Sequence, residues 1–140
     1  MLVLAFTDQV LFGQQLAQTP DQPTTGEKPS DVDDVLADKE MTIGREYMRK
    51  LNFIGAVNRF KIVMTEYQKS RYVPEALAQQ AVIYATLGIK SEAQTALAVL
   101  GRKFPSDKWY TASYSLLKYS GIEPLEDEGS WISKAFKRAP

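Results

Sequence analysis

The sequence repeats its own pattern of small and large residues at a spacing of 37 positions. Small residues let two helices approach closely, and large residues fill the gap between them. Such self-similarity is typical of stacked helix-turn-helix units, because no single unit can bury its apolar face alone. The pattern aligns Gly44 with Ala81, Tyr47 with Tyr84, Ala56 with Ala93, Phe60 with Leu97, Val63 with Leu100 and Tyr67 with Phe104.

Apolar residues recur at helical spacing from Asp31 onward, and no sustained alternation of period two indicates a strand. Pro74 and Pro105 lie where one helix should give way to the next, since proline interrupts a helix interior. The sequence therefore predicts an all-α chain, with main helices near residues 32–50, 53–69, 74–87, 91–103 and 106–119.

Serine residues at the predicted helix starts are candidate N-caps, because a serine hydroxyl can accept a hydrogen bond from a free backbone N–H. Gly88 suits the end of the third helix, where a left-handed residue is common. The candidate caps are Ser30 ahead of Asp33, Ser91 ahead of Gln94, and Ser106.

The repeat resembles the tetratricopeptide repeat, whose usual period is about 34 residues. We expect two helix-turn-helix units plus a capping helix in a repeat domain over residues 31–122. Residues 123–140 form a C-terminal extension with a short helix. Residues 1–30 are predicted to be a disordered leader, since residues 18–30 are polar and hold three of the seven prolines. Its apolar start is far shorter than the roughly 20 residues that span a bilayer, and no basic residue precedes it, so we expect no export signal.

The formal net charge of zero conceals a segregation of charge along the chain. Residues 1–40 carry eight acidic and two basic residues, whereas residues 41–122 carry five acidic and twelve basic ones. A basic module can select an acidic partner through complementary potential. The alternative is a solvated helical surface that happens to be rich in lysine and arginine.

The composition excludes most catalytic and metal sites. The chain has no cysteine and no histidine, so it lacks thiolate nucleophiles, disulfides and the usual general base and zinc ligands. Ser115 and Lys118 match the S-x-x-K spacing of serine acyl enzymes but lack the partner motifs. Three acids at the start of the first helix, Asp31, Asp33 and Asp34, fit the helix dipole better than a metal loop. We expect no enzyme, cofactor or metal, and the sparse lysine and arginine pattern predicts no nucleic-acid binding.

A second short apolar pattern closes the chain. Ile132 and Phe136 are neighbours on one face of a predicted helix, with Trp131 beside them, while Lys134, Lys137 and Arg138 face away. This segment is interpreted as a cap that closes the last repeat, and alternatively as a docking peptide anchored by Trp131.

Residues 36–136 resemble the C-terminal half of the BamD family, the outer-membrane protein assembly lipoproteins, in its alphaproteobacterial form. The last of the matching stretches is the most specific, because no general repeat rule requires it. The resemblance rests on the stretches 39–47, 56–60, 91–96, 98–101 and 129–136.

The resemblance implies a scaffold at the periplasmic face of the outer membrane, within the Bam β-barrel assembly machinery. It implies docking of the C-terminal repeats on the POTRA region of BamA. In the family, the N-terminal repeats, which do not match this chain, contact other Bam subunits and handle unfolded outer-membrane proteins. The family arginine associated with the BamA contact matches Arg59, and Arg45, Arg49 and Lys50 could extend that surface. The family also carries a lipidated cysteine, an anchor that this cysteine-free chain cannot form. The alternatives that this leaves open are a split or truncated gene product and a wrongly assigned start. The alternative function is a generic soluble tetratricopeptide-repeat adaptor for peptide or protein partners.

Overall fold

A computed structural model of the protein describes residues 31–137, and these residues contain helices and turns without a strand. The prediction of an all-α, tetratricopeptide-like repeat fold is confirmed. Three predictions lie outside the described residues: the disordered leader expected for residues 1–30, the expected Ser30 cap and the expected placement of Arg138. The helices are α1 (Asp31–Arg49), α2 (Phe53–Glu66), α3 (Val73–Thr86), α4 (Lys90–Lys103), α5 (Lys108–Lys118) and α6 (Trp131–Ala135).

Two helical hairpins, α1–α2 and α3–α4, pack side by side, and α5 covers the second one. A shift of 37 residues carries the bounds of α2 onto those of α4, so the sequence period is also the structural period. α3 lies at the centre: twelve of its fourteen residues are buried, from Val73 to Tyr84.

The small-to-large pairing of the repeat is visible in the first hairpin. Gly44 on α1 faces the ring of Phe60 on α2, and a Cβ atom at Gly44 would lie 2.6 Å from Phe60 Cε1. Phe60, Ala56 and Val63 have no exposed surface, and their repeat equivalents on α4 are also fully buried. The core therefore runs continuously through both hairpins.

The predicted caps are right at one position and wrong at two. Gly88 has a φ of 79°, and its backbone ends α3 as expected. Ser91 is inside the first turn of α4, whose N-cap is Ile89 with no side-chain hydrogen bond. At α5 the cap is Asp107 rather than Ser106, because the Asp107 carboxylate accepts from the Trp109 N–H at 2.7 Å.

The C-terminal extension folds back along α4. The Asp127 N–H donates to the Thr95 hydroxyl at 2.9 Å, and Arg102 donates two hydrogen bonds to Glu126 and one to the carbonyl of Phe136. Ile132 is fully buried and Phe136 is 4% exposed, as the periodicity predicted. This packing agrees with the interpretation of α6 as a cap.

The helix ends fall into two groups at opposite ends of the molecule. Because neighbouring helices are antiparallel, the α1–α2 and α3–α4 turns and the end of α5 share one end. The contact of Asp34 with Arg71 and of Arg45 with Glu75 sets α1 alongside α3 with both helices starting at the other end.

Candidate protein-binding surface

Arg59, the residue with the most specific predicted role, projects from α2 beside α1. Its Nη1 donates to Glu40 Oε2 at 3.0 Å, and the two side chains are 36% and 15% exposed. The Asn52 side chain caps α2 by accepting from the Gly55 N–H at 3.0 Å. The glycine at this position gives the ring of Tyr47 room, since a Cβ atom there would lie 2.9 Å from it. The α1–α2 packing thus places an arginine, a carboxylate and a tyrosine together at a half-exposed position.

The charge of Arg59 is stabilised without using all of its hydrogen-bond donors. The hydrogen bond to Glu40 and the negative charge of that residue raise the pKa of Arg59, with a smaller contribution from Tyr47. A guanidinium carries five N–H donors, and Arg59 gives one to Glu40 at hydrogen-bond distance. The group is therefore charged, held in place and still able to bind a further carboxylate.

Arg45 occupies a different environment from Arg59. Its Nε and Nη2 donate to both carboxylate oxygens of Glu75 at 2.8 and 2.7 Å, and the ring of Tyr72 lies 5.6 Å from the guanidinium carbon. The two charged side chains are only 16% and 2% exposed. Burial opposes the charge of Arg45, but the hydrogen bond and charge of Glu75 outweigh it and raise the pKa of Arg45. This pair links α1 to α3, and neither charge could stay buried without the other.

Arg49 and Lys50 lie at the exposed end of α1. Both side chains are 68% exposed, and both interact with Glu46 one turn earlier. The hydrogen bond from Arg49 lowers the pKa of Glu46. A pair this exposed contributes little to stability, so these cations are available for an incoming surface.

Trp131 is partly buried where α6 meets the repeats. Its indole N–H donates to the Tyr84 hydroxyl at 3.2 Å, and the Lys61 ammonium lies 4.6 Å from the ring centroid. The side chain is thus already held by this chain's own residues. The five predicted residues do not form one cluster. Arg59 lies beside Glu40, and Arg49 and Lys50 lie at the α1–α2 turn, whereas Arg45 and the partly buried Trp131 contact other elements of the fold.

The acidic start of α1 lies against the α2–α3 turn, which carries Arg71. Asp34 accepts from the Arg71 backbone and side chain at 2.7 and 2.9 Å, and Asp38 accepts from the Tyr72 hydroxyl at 3.0 Å. Burial and the hydrogen bond to Asp38 raise the pKa of Tyr72. The described residues hold 15 basic and 14 acidic side chains, so an acidic partner must be attracted by local surfaces rather than by net charge.

Besides Leu87 and Ile89 at the α3–α4 turn, which are 41% and 44% exposed, two exposed apolar sets were not predicted from the sequence. The first lies on α1, where Val32, Val35 and Leu36 are 67%, 72% and 45% exposed. The second lies at the α1–α2 turn, where Leu51 and Ile54 are 59% and 66% exposed. The helical spacing of the first set was a usable signal, because Val32 and Leu36 share a face that differs from the buried one.

The structure also places the residues considered for catalysis and for metal binding. Ser115 and Lys118 are both exposed on α5. Asp33 and Asp34 accept from the backbone at residues 69 and 71. Among residues 31–137, no group of acidic side chains could hold a metal ion.

Comparison with known proteins identifies the family. The model described as "YfiO: Outer membrane lipoprotein" matches residues 23–100, more than half of the chain. The chain belongs to this family. A relative named "Outer membrane protein assembly factor BamD" from Caulobacter vibrioides is 43% identical over 93 residues, which is 66% of this chain and 30% of that protein. The relative of the same name from Rickettsia prowazekii is 44% identical over 87 residues, 62% of this chain and 35% of that protein.

The YfiO match places both hairpins in the family, since α1 to α4 lie almost wholly within it. The chain spans about a third of the length of the relatives it matches. No solved structure matches the chain. Within the described part of the chain, no helix has the length and apolar content needed to cross a membrane.

Proposed function

We propose that this chain is a non-enzymatic scaffold of the Bam outer-membrane β-barrel assembly machinery and docks on the POTRA region of BamA. The observation that carries the proposal is the similarity to relatives named as outer membrane protein assembly factors, at 43–44% identity over 93 and 87 residues. Its place would be the periplasmic face of the outer membrane, beside other Bam subunits and unfolded outer-membrane proteins.

Arg59 is the docking residue in this proposal. Its guanidinium is charged, held on a rigid helix by Glu40, and 36% exposed. Carboxylates are the groups that an arginine binds in a fixed, planar geometry, which a lysine cannot reproduce. An acidic side chain of the partner would add to the existing pair with Glu40 or replace it.

Calorimetric titration of the chain with the POTRA region of BamA from the same genome tests the proposal. We expect binding that weakens at high salt, and Arg59→Glu should reduce the affinity by about 2 kcal/mol or more, roughly 30-fold. Arg59→Lys should recover only part of the loss, because the planar fork is missing. Circular dichroism checks that each variant is folded.

Lys108→Glu is the matched control. Lys108 is an exposed basic residue at the start of α5, away from the α1–α2 hairpin, and an acid there suits the helix dipole. If Lys108→Glu weakened binding as much as Arg59→Glu, the attraction would be general and Arg59 would have no special role. Cell fractionation separates the proposal from a generic cytosolic adaptor, since recovery of all of the chain in the cytosol contradicts a Bam scaffold.

A further inference from the structure

The three turns at one end of the molecule have the same backbone geometry but different residues at the left-handed position. At each helix end, one N–H reaches back three residues and the next reaches back five, a pattern that closes a helix with a residue of positive φ. The hydrogen bonds are Leu51 to Met48 and Asn52 to Tyr47, Gly88 to Ala85 and Ile89 to Tyr84, and Gly121 to Lys118 and Ile122 to Leu117.

Glycine occupies the left-handed position at two of these turns, and leucine occupies the third. Gly88 and Gly121 have φ values of 79° and 74°, whereas Leu51 has a φ of 61°. Within residues 31–137, Leu51 is the one residue other than glycine with a positive φ. A branched apolar side chain is strained in this conformation, because its Cβ approaches the following carbonyl oxygen.

The fold gains nothing visible from the leucine. Its side chain is 59% exposed, and Ile54, three residues later, is 66% exposed. Residue 51 is the repeat equivalent of Gly88, so a glycine fits the same turn without strain. Strain and apolar exposure at one position are typical of a residue kept for a contact outside the domain.

We propose that Leu51 is the apolar anchor of a docking site at the α1–α2 turn, and that it inserts into an apolar pocket rimmed by carboxylates on the POTRA region of BamA. The proposal rests on the function proposed above. Charge argues for this occupant, because Arg49 and Lys50 directly precede the anchor and are 68% exposed. A partner pocket that surrounds one side chain also explains why a single turn carries the strained residue, because the exposed Leu87 and Ile89 of the second turn are presented without a positive φ.

Leu51→Gly tests the anchor, because it relieves the backbone strain and removes the side chain together. We expect a melting temperature equal to or above that of the parent chain and at least tenfold weaker binding to the POTRA region in the same titration. Ile54→Ser should weaken binding less, since it removes the neighbouring apolar contact and leaves the anchor.

Gly88→Leu is the mirror-image control, because it builds the same strained leucine at the second turn, where a Cβ atom meets nothing within 4 Å. It should lower the melting temperature by about 4–8 °C and leave the affinity unchanged.

The outcomes of the titrations separate the proposed anchor from the proposed Bam function. If the parent binds and Leu51→Gly binds equally well, the anchor is overturned while the Bam function stands. Absence of any binding by the folded parent overturns both. If Leu51→Gly keeps its affinity for the POTRA region but no longer binds phosphatidylglycerol vesicles that the parent chain binds, the occupant is a lipid surface and the protein pocket is overturned.

Discussion

Arginine plays three roles in this molecule, and the number and burial of its hydrogen bonds distinguish them. Arg45 and Arg102 each donate two hydrogen bonds to a carboxylate on another segment of the chain, and both side chains are less than 20% exposed. Arg49 binds Glu46 on its own helix in solvent. Arg59 lies between these extremes, with one hydrogen bond and 36% exposure. A bidentate buried pair fixes packing, while a singly bonded, half-exposed arginine can accept a new partner.

The pair of Arg45 and Glu75 leads to a prediction about stability. Arg45→Met leaves the Glu75 carboxylate, which is 2% exposed, without its cation, so the free energy of unfolding should fall by about 3–5 kcal/mol. Urea denaturation at pH 7 measures it. Arg45→Met combined with Glu75→Met should recover most of the loss, because no charge remains buried. A double variant as unstable as the single one would show that the pair itself, rather than the orphaned charge, carries the stability.

At the scale of elements, close approach of helices depends on a few residues without side chains. Gly44 accommodates the edge of Phe60 between α1 and α2, and Gly101 does the same for Tyr110 between α4 and α5. These contacts account for the repeat pattern, because a small residue on one helix receives a large one from its neighbour. Each hairpin is thus a unit whose separation is set by residues readable in the sequence.

Gly44→Ala tests this dependence. Alanine favours an exposed helix over glycine by about 1 kcal/mol, but here its Cβ would lie 2.6 Å from a fully buried ring. We expect a net loss of about 1–3 kcal/mol in the free energy of unfolding, measured by urea denaturation. Adding Phe60→Leu should restore part of the loss by making room. A stabilised Gly44→Ala variant would contradict tight packing at this crossing.

The sequence was informative about elements and less so about sites. The 37-residue period and the two prolines predicted the helix bounds to within a few residues, because the spacing of apolar residues along the sequence follows the period of the helix. The sequence did not show which of two neighbouring polar residues caps a helix, and Asp107 rather than the expected Ser106 is the N-cap of α5. The same pattern of basic residues also concealed that Arg45 lies in the interior and Arg59 at the surface, since that depends on how α1 packs on both α2 and α3.

The left-handed conformation of Leu51 was only partly predictable from the sequence. The spacing of 37 residues from Gly88 could have marked position 51 as a glycine position occupied by another residue. Only the structure gives the φ value of Leu51, and a leucine in a turn is ordinary unless its φ is positive. Internal repeats therefore provide a reference for strain as well as for packing.

At the scale of the whole molecule, some of the segregated charges pair within the described residues. The acidic start of α1 pairs with Arg71 in the α2–α3 turn, and the C-terminal extension pairs with Arg102 through Glu126. The cations that stay exposed to a partner include the half-exposed Arg59 and those at the α1–α2 turn. Salt should consequently weaken partner binding more than it weakens the fold, because exposed pairs are screened and buried ones are not.

The absence of histidine makes the fold's dependence on pH simple to predict. No side chain of this chain has an ordinary pKa between about 5 and 8, so the free energy of unfolding should be nearly constant there. Burial raises the pKa of both Tyr72 and Tyr84 above 10.0, so the unfolded chain loses these protons first as pH rises. Their contribution to the free energy of unfolding is fully present below pH 10 and is lost above it, so the stability should fall there.

Urea denaturation at pH 7, 9 and 10.5 measures how steeply the free energy of unfolding falls with pH. The double variant Tyr72→Phe and Tyr84→Phe should show a shallower fall than the parent chain, with Tyr119→Phe, 94% exposed, as the control. An equally steep fall in the double variant would assign the alkaline loss to other groups.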